Sequence, residues 1–494
     1  MTLRVFHYTV LATLTLASCT HEKPASKTTK PASTTPHYRL FFLSDVKGEL
    51  EPCGCTLEPL GGLARLASYL KERTEPGVTP VLLTHGDLRA HGSISKGAQP
   101  QLEASARFLQ TQLISLGLKA SGDGPGDRQL GDLYKSLVSQ PNLPHLKGGE
   151  VRVVDGLKIM RGSSETTPNP TAQGPAVMLF DGDLEAARKA APKLAKAGIQ
   201  LLLLNQGASS SSLVQLGHGV FAVQGGERGQ HVVEINWVWR GQGSSKHHQG
   251  EAGRTTELAA LQQRLDGLIA QRDRAKVRQK PKALIDARHA QVEQVKAQRQ
   301  RLLKAPLPKL PESGNFLTIS RIPLDSKVEE NKRMSDKVQN HHRAISALNK
   351  KLESTRECPP QAGADQALYI GSQSCQGCHP QAYDLWKKTP HAHAWDTLVQ
   401  RGRTYDYNCV SCHSSGFDLP EGFCRVSEAG DRINVGCESC HGPGSTHAQT
   451  GAKSAIQRDV SEAQCQTCHH PPHTNTFVYA DRIKRILGPG HGAP

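Results

Sequence analysis

Residues 437–447 read Cys-Glu-Ser-Cys-His-Gly-Pro-Gly-Ser-Thr-His. A Cys-x-x-Cys pair followed at once by histidine suits a zinc site, a redox dithiol or a haem attachment point, and repetition separates the three. The Cys-x-x-Cys-His pattern returns at 375–379, 409–413 and 465–469. Chance from this composition would produce about 0.02 such matches in the whole chain. A zinc ribbon has no use for a histidine fixed behind every second cysteine, and a dithiol needs one pair beside a βαβ unit. Covalent haem needs all three residues: two thiols add to the porphyrin vinyl groups, and the adjacent imidazole is held under the iron. Cys375, Cys378, Cys409, Cys412, Cys437, Cys440, Cys465 and Cys468 are therefore read as attachment points of four haem c groups. His379, His413, His441 and His469 are read as their proximal ligands.

The compartment agrees with that chemistry. The chain opens MTLRVFHYTVLATLTLASC, with Arg4 before a short apolar run and small residues before Cys19. This reads as an export signal, too short to span a membrane. "LASC" resembles the lipobox of bacterial lipoproteins. The resemblance implies cleavage after residue 18, lipidation of Cys19, and outer-membrane sorting, since Thr20 is not the retention-type Asp. More than one acyl chain makes a lasting anchor. Residues 19–37 are rich in Pro, Ser, Thr and Lys and read as a flexible tether.

A formal charge of +15 would ordinarily point to an acidic partner or surface. Four haems would add eight propionates, much of the Lys and Arg excess lies in the middle third, and no nucleic-acid motif is present, so nucleic acid is excluded as a partner. Residues 38–240 read as α/β: "YRLFFLSD" and "TPVLLTHGD" are strands running into polar turns, "LARLASYLKER" has helical spacing, and later strands include 176–180, 199–204 and "HVVEINWVW". Between 255 and 356, two stripes at helical spacing flank "PLPKLPESGNFLTISRIPL", which predicts an antiparallel coiled-coil hairpin acting as spacer or homodimer seam. The pairs His247-His248 and His341-His342 read as solvated. Residues 368–494 are poor in apolar side chains, so haem is expected to supply their core.

Two family resemblances follow. "FFLSDVKGELEPCGC", "GGLARLASYL" and "LLTHGD" resemble the opening of the nucleotidase-type calcineurin-like metallophosphoesterases, which implies two metal ions held by Asp and His. Asp45 and Asp87 fall on the first two aspartate positions. The family's Asp-x-His is here Asp45-Val46-Lys47, its Gly-Asn-His stretch is "GDGPGD" at 122–127, its later strand-end His is replaced by Asn205 and Gln206, and His218 alone stands near the last motif. These departures predict a degenerate domain without phosphoesterase activity. Cys53, Cys55, Cys358 and Cys424 remain for a disulfide of unassigned connectivity.

The last domain, through "YIGSQSCQGCHPQAYDLWKKTPHAHAW", "CVSCHSSGF" and "GCESCHGPGSTHA", resembles the tetrahaem cytochrome c-554 family. That implies closely packed haems, mostly with two histidine ligands, carrying electrons rather than binding substrate. It implies His391 and His447 as distal ligands supplied across the domain, with His393, His470, His473 and His491 as further candidates. The Gly442-Pro443-Gly444 turn leaves His447 free to reach a neighbouring haem. The fold class expected is multidomain: an α/β layered sandwich, a helical hairpin and a mainly helical or irregular tetrahaem domain. The function expected is a lipid-anchored cytochrome passing electrons between redox partner proteins in the cell envelope, facing the periplasm or the cell surface. Its rivals are an oxidoreductase acting on a small nitrogen compound at an open haem and a metallophosphoesterase.

Overall fold

The run Leu40-Phe41-Phe42-Leu43 lies inside β1 (His37–Ser44), a strand buried on both faces, as an unbroken apolar pattern implies. The computed structural model describes residues 36–52, 59–89, 96–165, 174–205, 213–241, 243–248, 250–277, 280–307, 309–361, 363, 366–470, 474, 477–488 and 490–491. Cys19, Cys53, Cys55, Gln206 and His473 lie outside them, as does the tether up to residue 35. From Thr35 onward the chain is one compact unit.

The first sheet grows from β1 by repetition of strand and helix. After α1 (Leu63–Glu72), β2 (Thr79–His85) pairs parallel with β1. After α2 (Gln99–Ser115), β3 (Leu118–Ser121) pairs parallel with β2. Two short helices, α3 (Pro125–Arg128) and α4 (Asp132–Val138), lead to the second sheet. It comprises β4 (Val151–Val154), β5 (Leu157–Gly162), β6 (Ala176–Phe180), then α5 (Leu184–Lys196), β7 (Leu201–Leu204), β8 (Leu213–Gly217) and β9 (Val220–Gln224). Asp183 caps α5 by accepting from the Ala186 N–H, one of the orphan donors of a helix start. β10 (His231–Val238) then returns antiparallel to β1.

Three apolar clusters hold these layers. One, including Leu40, Phe42, Leu83, Leu179, Phe221 and Trp237, contains alternate residues of both sheets and fills the space between them. A second joins the outer face of the first sheet to its helices, and a third joins the second sheet to α5. The result is the expected α/β layered sandwich, four layers deep.

The middle third differs from its sequence reading. After β11 (Lys246–His247), α6 (Glu251–Val277) and α7 (Lys282–Lys304) form the hairpin, burying Leu261, Leu265, Val292 and Val295 between them. The turn therefore sits at Pro281, whose ring disfavours helix at the residue before it, and the apolar stripes of the two helices pack on each other. The stretch expected as the turn instead contains β12 (Phe316–Pro323), paired with β10 and β11. The first sheet runs β11-β12-β10-β1-β2-β3 and the second β4-β5-β6-β7-β9-β8. The sandwich thus begins at His37 and extends past 240. The second stripe, α8 (Lys332–Leu352), packs Met334 and Val338 into the cluster beneath α1 and α2.

The histidine pairs are not simply solvated. The His341 ring stacks on Phe108 at 4.2 Å, His342 lies 3.4 Å from both Glu51 and Asp406, and His248 is buried beside Phe316. His247 is exposed. The disulfide joins Cys358 to Cys424, with Cα atoms 5.8 Å apart.

The C-terminal segment is built from α9 (Pro380–Trp386), α10 (Ala394–Arg401), α11 (Tyr407–Val410), α12 (Cys437–His441), α13 (Ser445–Thr450) and α14 (Glu462–Cys465), all short. Its apolar cluster holds only Trp395, Leu398, Val410, Phe423 and Ala429 in full burial. A buried polar knot docks it on the sandwich: Gln101 of α2 donates to Asp406 at 2.7 Å, and Asn349 of α8 donates to Gln101 and to the Tyr405 carbonyl. Among the described residues, no helix is long and apolar enough to cross a membrane.

Candidate functional site

Each Cys-x-x-Cys-His run is wound as a helical turn. The His379 N–H donates to the Cys375 carbonyl, and His469 does the same to Cys465. Residues i, i+3 and i+4 of a helical turn share a face, so both thiols and the imidazole of a motif point one way. Polar caps start these turns: Asp406 accepts from the Asn408 N–H and Ser461 from the Gln464 N–H. Asp406 is thus both the cap of the Cys409 turn and the contact that fixes it to the sandwich.

All eight motif cysteines are outside disulfides. Burial pushes the Cys409 thiol up to about 12 and the Cys440 thiol up to about 11. The hydrogen bond from the Cys375 thiol instead lowers Cys437 to about 7. The thiols of Cys375 and Cys437 are hydrogen-bond neighbours, and so are those of Cys412 and Cys468. The first motif therefore adjoins the third, and the second adjoins the fourth.

The histidines are paired across motifs. The His447 ring lies 6.1 Å from that of His379, with planes 24° apart. The His391 ring lies 6.0 Å from that of His469. Two imidazoles bonding one metal from opposite sides at about 2 Å each would have centroids separated by roughly this distance. The Nδ1 atoms of His413, His441 and His447 lie 2.7, 2.7 and 3.0 Å from the carbonyls of Ala394, Gln457 and Ala452. A carbonyl partner on one ring nitrogen fixes the tautomer and leaves Nε2 for the metal, the usual arrangement around a ligating histidine. The donor set fits haem iron.

Two further candidates separate. His393 is exposed and has both nitrogens engaged, Nε2 with the Lys387 carbonyl at 3.0 Å and Nδ1 with Asp396 at 3.3 Å. It is not placed as a ligand, because Asp396 on the next helical turn and the chain end of α9 hold it. His491 keeps a buried Nδ1 without a hydrogen-bond partner. It lies within electrostatic reach of His441 and His379. His470 has partners of its own.

A second group of polar residues gathers at the strand ends of the sandwich, the crevice where open α/β sheets place ligands. Asp45 accepts from the Asp87 N–H, and Asp87 accepts from the Asp127 N–H. Beyond them the cationic groups are guanidiniums. Arg89 and Asp127 form a fully buried pair at 2.6 Å. Arg161 reaches Asp123 at 2.5 Å and Asp181 at 2.9 Å. Those contacts, with Tyr134 and His145, hold the Asp123 carboxyl below the usual range despite its burial. His85 is buried 3.7 Å from Asp181, and burial lowers its pKa to about 4. Asn205 spans Asp181 and the Gly182 N–H. Lys47 is turned to Glu227 at 2.8 Å. Among the described residues, no three His, Cys, Asp or Glu side chains are gathered for a metal ion. His218 sits in the β8–β9 turn, before Val220, at the opposite end of the second sheet from Asn205, so it belongs to no strand-end cluster. The arginines were not legible as site residues, because a buried ion pair is made by the fold and has no local spacing.

The Haemophilus influenzae NAD nucleotidase matches 42% of this chain and 54% of its own at 11% identity, TM-score 0.31. The Thermus thermophilus sulfate thiohydrolase SoxB matches 70% and 68% at 10% identity, TM-score 0.36. The Bacillus subtilis calcineurin-like phosphoesterase YfkN matches 65% and 100% at 10% identity, TM-score 0.35. The chain spans about half the length of the nucleotidases it matches. No curated protein matches it. The family described as cytochrome c554 and c-prime matches residues 374–442, the stretch that holds the first three motifs, His391 and Cys424. Residues 374–442 thus match the family of cytochrome c554 and c-prime, in the segment that follows the α/β sandwich and holds three of the four haem-attachment motifs.

Proposed function

We propose that this chain is an electron carrier of the cell envelope, with four covalent haem c groups and a lipid anchor on Cys19. The observation that carries the reading is the meeting of imidazoles from different motifs, His447 with His379 and His391 with His469, at a separation suited to one iron between them. In this reading His379, His413, His441 and His469 are the proximal ligands, His447 and His391 serve the haems of the first and fourth motifs, and His491 serves that of the third. Haem supplies reversible one-electron chemistry. The protein's part would be to hold two ligands on the irons of the first, third and fourth motifs, so that little rearranges between oxidation states, and to keep the motifs adjoining.

The sandwich serves here as a scaffold. Asp45 and Asp87 remain at the strand ends, while Arg89 and Arg161 supply the positive charge that a dinuclear metal site would otherwise bring. Redox partner proteins are the expected donors and acceptors.

The test is the haem count of the purified protein under denaturing conditions, with reduced spectra taken with and without carbon monoxide. Four haems are expected, with no carbon-monoxide shift beyond what the haem of the second motif contributes. Fewer haems would remove the count, and a large shift would favour the rival in which an open haem acts on a small nitrogen compound.

A further inference from the structure

We infer that the α6–α7 hairpin is a docking arm for anionic phospholipid headgroups. The inference rests on the reading of Cys19 as a lipid anchor, which would hold the chain at a membrane surface.

Residues 251–304 carry thirteen Lys and Arg against six Asp and Glu. The excess is not neutralised within the arm. Arg272 pairs with Asp273 and Lys296 with Glu293, but Arg264, Lys276, Lys280, Lys282 and Lys304 are exposed and in no ion pair among the described residues. Three of these lysines flank the turn at Pro281, and the nearby Leu284 is 42% exposed. An apolar side chain among lysines suits the boundary between headgroups and acyl chains, and each Lys or Arg near an anionic leaflet adds attraction that salt weakens.

The position of the arm's root gives the occupant. His37, where the chain enters β1, stands opposite Val238; Val238 stands opposite Phe316, and Phe316 opposite Lys246. Lys246 leads into α6, and Phe316 follows α7. The tether and the arm therefore leave the same end of the first sheet. From Cys19 to Pro36 the chain advances seventeen residues, which spans at most about 60 Å. The 27 residues of α6 make an arm about 40 Å long. A surface that holds Cys19 is within the arm's reach, and the exposed Lys276, Lys280 and Lys282 at the turn complement anionic lipid better than uncharged lipid.

The test uses full-length haem-loaded Cys19→Ala protein, so that no acyl chain contributes. Its sedimentation is measured with phosphatidylcholine vesicles, alone or containing about one-third phosphatidylglycerol. Binding to the anionic vesicles alone is expected, falling at least about tenfold in Lys276→Glu/Lys280→Glu/Lys282→Glu protein of unchanged haem spectrum. Equal binding to both vesicles, no binding, or full binding by the triple variant would overturn the inference. So would hairpin charges that matter only for capture of an acidic redox protein. The anchor reading is tested separately by the mass of the native amino-terminal peptide; an unacylated Cys19 would remove that reading and leave the vesicle result standing.

Discussion

The sandwich and the C-terminal segment solve the same problem with different materials. Between its two sheets the sandwich buries nineteen apolar residues in one cluster, with two further clusters on its outer faces. The C-terminal segment has five residues in its own cluster. Burial at about 25 cal/mol per Å² of apolar surface can carry the first fold alone but leaves the second short. The difference teaches that the larger region is a protein core and the smaller one, residues 368–494, is a frame for a cofactor. The disulfide and the Gln101–Asn349–Asp406 knot fasten the frame to the core.

The largest way to break this contrast is to withhold haem. Protein made without haem attachment is expected to lose protease resistance throughout 368–494 while the sandwich remains a resistant fragment. Limited proteolysis followed by mass mapping checks this, and equal resistance of both regions without haem would remove the contrast. Next comes the charge knot at the strand ends. Arg161→Ala leaves Asp123 and Asp181 with the half-exposed Arg128 as their remaining guanidinium, so the loss is expected at or below the lower end of the about 3–5 kcal/mol that removing one partner of a buried pair costs. Chemical denaturation is expected to show that loss in the sandwich transition, with the haem spectrum unaltered.

The smallest effect is a pH dependence. Burial lowers the pKa of His85 and His145 to about 4 and that of His231 to about 3. The unfolded chain takes up protons on these groups near pH 6.5 while the folded chain does not. Sandwich stability is therefore expected to be full above that pH and to fall as pH drops from about 6.5 toward the folded values near 4. Thermal melts of the wild type against His85→Gln check the sign; the variant is expected to have a flatter profile.

How much of this was legible in the sequence depended on whether the signal was local. The four motifs could be read because their chemistry is written within five residues, and β1, β2 and β10 because apolar runs mark buried strands. β12 was missed because "FLTISRIP" stands between a proline-rich stretch and a helix, and only its pairing with β10 makes it part of a sheet. The hairpin's turn was misplaced because the longer interruption after α7 outweighed the single Pro281. His391 and His447 were named through the family resemblance, but the motif that each one meets is a fact of tertiary packing. The same holds for Arg89 and Arg161, which look like surface charges until the fold buries them. Cys358 and Cys424 pair across 66 residues, a separation that no spacing rule resolves.

The most direct measurement is the spin state of the haems in His447→Ala protein. His447 sits beside His379, and its Nδ1 is held by the Ala452 carbonyl. If the two imidazoles share one iron, the variant keeps every haem covalently attached, while one of them becomes high-spin and binds carbon monoxide. Electron paramagnetic resonance of the oxidised protein, with carbon-monoxide difference spectra of the reduced form, reads both changes. An unchanged low-spin spectrum in correctly folded His447→Ala protein would contradict the pairing of ligands across motifs.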